Sequence, residues 1–186
     1  MIIRPAAPED AGQVIPLLYD AIGSIAYVLT GTDNPASAIH AMSEWYKQRN
    51  NRLSYENVLV AEKDGEAVGA ALFYHGSRIA ELDQPLLDRL AAREGIILAS
   101  FPAESRENEF YLDSLAVNPA CRGQGIGSRL MQAFEAAAAR QQYDRVALIV
   151  SSDNPRARKL YMSKGYVSDG QIDIAGADYD HMVKRL

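Results

Sequence analysis

Apolar residues recur along this chain with two periods, and the period changes from segment to segment. Ile2-Ile3 is a short apolar pair that predicts a first strand. Pro8 then opens a helix whose first turn carries Glu9 and Asp10, as the positive end of the helix dipole favours. Val14, Leu17, Leu18, Ala21, Ile22 and Ile25 fall on one stripe of that helix, and Pro16 within it predicts a kink or a broken start. Residues 38–49 read as a second helix, with Ala41, Met42, Trp45 and Tyr46 on one side. Segments 57–62 and 67–74 flank Lys63-Asp64-Gly65, a hairpin signature. A strand follows at 110–117, then a helix at 128–142 with Leu130, Met131, Phe134, Ala137 and Ala138 at helical spacing. Residues 145–150 form an apolar strand, and 155–164 a short helix stopped by Gly165. The tail reads as two strands around Gly170 and Gly176. Strands and helices in this order predict a single α/β domain over residues 1–186, built on one sheet.

Composition narrows the function classes. The 186 residues suit one domain with a sizeable core. A net charge of -5 argues against nucleic-acid binding through bulk charge and is compatible with a cationic acceptor. The single cysteine, Cys121, excludes an internal disulfide. The N-terminal residues lack a signal-peptide core, and apolar runs such as Val146-Ala147-Leu148-Ile149-Val150 are too short to span a bilayer, so a cytoplasmic protein without membrane contact is expected. His40, His75 and His181 show no metal-ligand spacing, so no metal is expected.

The segment richest in chemistry is Leu115-Ala116-Val117-Asn118-Pro119-Ala120-Cys121-Arg122-Gly123-Gln124-Gly125-Ile126-Gly127-Ser128. A strand ends near Val117, a turn follows, and three glycines alternate with other residues directly before a helix. Glycines permit positive φ, and successive amides at a helix start form an anion nest. Arg122 beside them favours a phosphate ligand over a plain glycine turn. A nucleotide P-loop would end Gly-Lys-Ser/Thr, whereas this loop ends Gly127-Ser128. A dinucleotide fingerprint would put its third glycine at position 128 and run the strand straight into the first. Here Ser128 occupies that place and residues 118–122 intervene.

With Leu115-Ala116-Val117-Asn118-Pro119 ahead of it, the Arg122-Gly123-Gln124-Gly125-Ile126-Gly127 run resembles the acetyl-CoA-binding motif of the GNAT acyltransferase superfamily, R/Q-x-x-G-x-G/A. A second match, Asn154-Pro155-Arg156-Ala157-Arg158-Lys159-Leu160-Tyr161 followed by Lys164-Gly165-Tyr166, resembles the family's later motif. There an asparagine contacts CoA and a tyrosine faces the thiol. The resemblance implies a mixed, mostly antiparallel sheet of six or seven strands with four main helices, in which strands 110–117 and 145–150 splay apart. It implies acetyl-CoA as co-substrate, with pantetheine in the splay against Leu115, Ala116 and Val117. Pyrophosphate would lie on the amides of Gly123, Gln124, Gly125, Ile126, Gly127 and Ser128, beside Arg122. Asn154, Ala157 and Tyr161 would complete the cofactor site.

The implied activity is acetyl transfer to a primary amine of a small-molecule or protein acceptor, by direct attack on the thioester. An alkyl ammonium must first lose a proton, and a carboxylate can take it. Strand alternation places Glu109, Tyr111, Asp113 and Leu115 on one face, which makes Asp113 and Glu109 the base candidates, Asp113 preferred. Tyr161 matches the acid that protonates the departing thiolate. A non-catalytic CoA-binding regulatory domain of the same fold is the alternative, opposed by Tyr161 and by the acids on that strand. One segment exceeds a minimal member: an insertion at about 77–106, where Ile79, Leu82, Leu86, Leu87 and Leu90 predict an amphipathic helix, begun or interrupted at Pro85. Its apolar stripe marks a homodimer contact or a lid, or packs against the domain's own sheet.

Overall fold

The structure, a computed structural model, describes residues 1–174 and 176–186. Seven strands share one sheet: β1 (Ile2–Pro5), β2 (Val58–Lys63), β3 (Glu66–His75), β4 (Phe110–Val117), β5 (Arg145–Ser151), β6 (Val167–Ile174) and β7 (Ala177–Arg185). Their order across the sheet is β1-β2-β3-β4-β5-β7-β6, and every neighbouring pair is antiparallel except β4–β5. The mixed, mostly antiparallel sheet expected from the sequence is therefore present, in its seven-stranded form.

Among the described residues six α-helices flank it: α1 (Ala11–Ile22), α2 (Ile25–Thr30), α3 (Pro35–Tyr46), α4 (Ile79–Arg89), α5 (Ile126–Arg140) and α6 (Pro155–Ser163). Two of them exceed the four that the resemblance implies. The first predicted stripe is divided at Gly23, whose φ of 55° no continuous helix could hold, so Ile25 begins α2. Within α1 the chain stays helical through Pro16, and the irregular start is a 3-10 turn at Pro8–Asp10. The other additional helix, α4, lies between β3 and β4, in the segment expected to be an insertion. Asn34 caps α3 by accepting from the Ser37 amide, so that helix starts earlier than its apolar stripe suggests.

Alternate side chains of the central strands feed two cores. Val60, Ala70, Leu72 and Ala116 pack with α1, α2, α3 and the end of α4, while Ala61, Val68, Ala71, Phe110 and Leu112 pack with α5 and α6. Leu82, Leu86, Leu87 and Leu90 of the insertion are all buried within the domain, Leu82 against Tyr74 and Tyr111. That is the outcome expected of packing on the chain's own sheet.

One irregularity positions the site. Leu72 of β3 pairs with Ser114, but Phe73 pairs with Leu112, so Asp113 is an extra, unpaired residue: a β-bulge. Side chains 110 and 112 lie on the α5 face, and so does 115. Leu115 therefore does not share a face with Tyr111 and Asp113, contrary to simple alternation, because the bulge advances the pattern by one residue.

The connection before β4 is anchored at Gly76, whose amide donates to the Glu109 carbonyl at 2.7 Å. A β-carbon there would sit 2.0 Å from the Arg106 carbonyl oxygen. Neither backbone can yield cheaply, so Gly76→Ala should cost at least about 1–3 kcal/mol through overpacking. Urea denaturation should show a lower midpoint with an unchanged slope; wild-type stability would show that the two backbones part freely.

Candidate active site

The two central strands share only three residue pairs, Phe110–Val146, Tyr111–Ala147 and Leu112–Leu148. Past the bulge they part. Residues 114–117 stay paired with β3, and Ile149–Ser151 with β7, which leaves the facing edges of β4 and β5 open to each other. The gap is a cleft of about 780 Å³, within the usual range for a small-molecule site. Backbone donors and acceptors along its two edges need partners, and a ligand carrying amide groups can supply them.

At the far end of β4 the chain turns through Pro119–Cys121 into α5. Gly125 occupies the N-cap position in the left-handed region, φ 76°, and no side chain caps the helix. This contrasts with α3 and α6, which Asn34 and Asn154 cap. The first amides of α5 thus remain available, in a field that favours an anion. Gly123 and Gly125 have nothing within 4 Å of where a β-carbon would stand, so the surface above the turn is open. Arg122 and Arg156 line the cleft and add positive charge, and Arg122 is fixed by donating from Nε to the Val117 carbonyl at 3.2 Å.

Of the residues expected to hold a cofactor, Leu115, Ala116, Val117, Arg122, Gly123, Gly125, Ile126, Gly127, Ser128, Asn154, Ala157 and Tyr161 all line this cleft. Gln124 does not; it is exposed on the turn, 3.5 Å from Lys63. Asn154 Oδ1 accepts from the Ala157 amide at 3.0 Å, so its oxygen is spent on the cap and its NH₂ group is the free end. The Tyr161 side chain is buried but reaches the cleft, and its hydroxyl has no hydrogen-bond partner among the described residues. Burial pushes this phenol up to about 12, so it is protonated at neutral pH.

Asp113 borders the cleft in an ion pair. Its Oδ2 accepts from Arg52 Nε at 2.8 Å and from the Tyr74 hydroxyl at 2.5 Å, while Oδ1 accepts from Ser114 Oγ at 3.0 Å. Arg52 also meets Glu104, Nη2 to Oε1 2.5 Å, and lies 3.8 Å from Asp83. Tyr111 donates to Glu104 Oε2 at 3.0 Å. One buried guanidinium thus faces three buried carboxyls, and the sequence reading did not single out Arg52, Asp83 or Glu104. No local signal marks them, since Arg52 and Glu104 lie in segments without periodicity. Burial pushes the Glu104 carboxyl above the ordinary range even though Arg52 opposes it, and raises Asp83 to about 6.

Glu109 is elsewhere. It does not line the cleft, and its side chain is fully buried in a network at the start of β4. Oε2 faces His181 Nε2 at 3.0 Å and accepts from the Arg106 amide at 3.0 Å; Oε1 accepts from Arg145 at 3.2 Å. Asp169 joins this network through Arg145 and Arg106. Ligand atoms of Glu109, Asp169 and His181 lie within 4.8 Å of one another, but both carboxylates already hold guanidiniums, the arrangement of an ion-pair network. Burial pushes the Glu109 carboxyl up, yet His181, the Arg106 amide and Arg145 outweigh it and hold it below its usual value.

A bulged central strand, a splayed neighbour and an uncapped glycine-led helix define an acyltransferase-type cleft, and comparison with known proteins agrees. The acetyltransferase (GNAT) family profile matches residues 25–166, and the chain belongs to that family. A crystal structure of an acetyltransferase is 31% identical over 100% of this chain and 99% of its own, with a TM-score of 0.80. An N-acetyltransferase from Staphylococcus aureus Mu50 shares the fold at 23% identity, 99% and 100% coverage and a TM-score of 0.77. So does the PaiA N-acetyltransferase from Thermoplasma acidophilum in complex with coenzyme A, at 17% identity, 100% and 98% coverage and a TM-score of 0.58. No curated protein matches the sequence significantly. Among the described residues no helix is long and apolar enough to cross a membrane.

The Glu109 network carries a stability prediction. Glu109→Gln should lose about 1.5–3 kcal/mol at pH 7, the worth of hydrogen bonds to a charged group. Because the folded-state pKa lies below the unfolded value of ~4.3, that contribution is complete above the unfolded pKa and disappears as pH falls through the folded one. Urea denaturation at pH 7 and pH 3 should show the gap between variant and wild type closing at the lower pH; a gap independent of pH would assign the loss to packing.

Proposed function

We propose that this protein transfers the acetyl group of acetyl-CoA to a primary amine by direct attack on the thioester. The observation that carries this reading is the cleft itself: an open strand edge leads from an uncapped α5 N-terminus to the hydroxyl of Tyr161. CoA fits these residues. Its pyrophosphate suits the free amides and Arg122, and the amides of its pantetheine arm suit the unpaired edges at Leu115, Val117 and Ile149–Ser151. When bound, the co-substrate supplies an activated acetyl thioester.

The chain's own groups then have separate tasks. The α5 turn anchors phosphate. Tyr161, neutral and without a hydrogen-bond partner among the described residues, donates its hydroxyl hydrogen to the departing sulfur. A phenol at about 12 is a weak acid for a thiolate near ~8.5, so much of its effect is a hydrogen bond that strengthens as charge develops. Of the two acids nominated by the sequence, Asp113 borders the cleft and Glu109 does not; Glu109 belongs to the ion-pair network at the start of β4.

Two variants test the reading. Gly125→Asp adds a negative charge where anionic oxygen must approach, so calorimetry should show CoA affinity reduced about 10–100-fold, the loss of one charge-assisted contact. Unchanged affinity in a folded variant would refute the phosphate site. Tyr161→Phe keeps the buried ring and should leave stability and CoA affinity intact while the turnover number falls, towards the lower end of ~10²–10⁴. Full turnover, with acetyl transfer confirmed as rate-limiting, would pass the role to water. A wild-type protein that binds CoA but acetylates none of a broad amine panel would instead be the non-catalytic relative.

A further inference from the structure

The Arg52-centred cluster borders the cleft beside the bulge at Asp113, where β4 and β5 part. It contains more carboxyls than it needs to hold one arginine. Asp113 is the more committed, because Arg52 Nε and Nη2 and the Tyr74 hydroxyl converge on its Oδ2 and Ser114 donates to Oδ1, which leaves a lone pair free on that one oxygen. Glu104 differs. Each of its oxygens accepts a single hydrogen bond, from Arg52 and from Tyr111, which leaves a lone pair free on both. It lines the cleft, whereas Asp83 lies behind Arg52 with its Oδ1 buried and unpartnered. The charged and titratable groups facing Glu104 are Arg52, Asp113 and Asp83, with the hydroxyls of Tyr74, Tyr111 and, from β7, Tyr179. Of the cleft-lining side chains, Asp20, Glu104 and Asp113 are acids, and Arg52 is the cation that pairs with the last two, while Arg122 belongs to the glycine turn and Arg156 to α6.

We propose that Glu104, delivered by the insertion, takes the proton of the acceptor, and that the acceptor is a cationic amine without a carboxylate beside its amino group. This rests on the acetyl-transfer reading above. The ammonium enters as the counter-ion that the cluster lacks. One N–H proton passes to a Glu104 oxygen, leaving a neutral amine and a carboxylic acid. The nitrogen lone pair then forms the C–N bond to the thioester carbonyl carbon as the C–S bond breaks. Sulfur takes the Tyr161 proton, the second proton leaving nitrogen replaces it through water, and Glu104 returns its own to solvent. The sum is one amide, one thiol and one released proton. Burial raises the Glu104 carboxyl toward the working pH, which suits a base that must both accept and release. A carboxylate next to the amine would add a like charge to an already acidic wall.

The test uses the full chain with acetyl-CoA and three acceptors: 2-phenylethylamine, phenylalanine, and trifluoroethylamine, whose amino group is weakly basic and largely neutral at pH 7. Glu104→Gln should lower kcat/KM for 2-phenylethylamine about 10²–10⁴-fold at pH 7. The loss should shrink as pH rises, be small with trifluoroethylamine, and leave CoA affinity unchanged. A merely structural glutamate would lose stability or CoA affinity and depress both amines equally. If Glu104→Gln does not fold, Glu104→Asp is measured the same way: a loss confined to the basic amine supports the assignment, and equal losses overturn it. Asp113→Asn should show no recovery at high pH; recovery there and none in Glu104→Gln would move the base to Asp113. Wild type should favour 2-phenylethylamine over phenylalanine by at least about tenfold, some 1.4 kcal/mol; the reverse preference overturns the acceptor class. CoA binding without turnover of any amine overturns acetyl transfer itself, whereas wild-type turnover with an unaffected Glu104→Gln overturns this proposal alone.

Discussion

After Leu112, β4 has no partner on its β5 side. A sheet interior rarely tolerates this, because each unpaired amide or carbonyl that loses water without gaining a partner costs free energy. Here the bulge at Asp113 makes the separation a fixed feature. It bends β4, holds residues 114–117 on β3, and turns Leu115 and Val117 toward α5 and α6. A β-carbon on Gly127 would rest 3.7–4.0 Å from Val117, Leu115 and Leu160, so the helix start is seated directly on the parted strand. The cleft, the uncapped turn before α5 and Tyr161 all take their positions from that one break in pairing.

Charge is distributed along the cleft to match its geometry. The α5 turn has free amides and Arg122, the start of α6 adds Arg156, and another part of the lining has carboxyls around Arg52. Burying such a cluster is expensive, and a buried ion pair seldom offsets its own desolvation. Tyr74, Tyr111 and Ser114 reduce the cost by satisfying carboxylate oxygens, so the cluster persists without full neutralisation. The Glu109 network at the other end of β4 has a comparable set of residues and an opposite character. Two arginines and His181 satisfy it completely enough to hold its carboxyl low. Two glutamates five residues apart therefore have environments that push their proton affinities in opposite directions.

The insertion links the two. Its helix α4 buries Leu82, Leu86 and Leu87 in the domain, Gly76 allows its return segment to lie against the end of β3, and that segment brings Glu104 to Arg52. The connection between β3 and β4 thus forms part of the cleft wall.

Much of this was legible along the chain, because period and punctuation are local. Strand 110–117 was read to the residue, the hairpin around Asp64-Gly65 nearly so, and the two motifs placed Arg122, Gly125, Asn154 and Tyr161 on the right elements. Local chemistry shifted some ends: α5 begins at Ile126 because Gly125 takes the left-handed cap, and α1 stops at Gly23 for a similar reason. What the sequence by itself determined was most of the elements, the family and the glycine turn before α5. Only the tertiary structure decided the bulge, the face of Leu115, the separation of Glu109 from the cleft, and the meeting of Arg52 with Glu104 and Asp113 across 52 and 61 residues. Those contacts arise from strand register and from a buried charge seeking partners, and neither leaves a repeating mark in the residues that satisfy it.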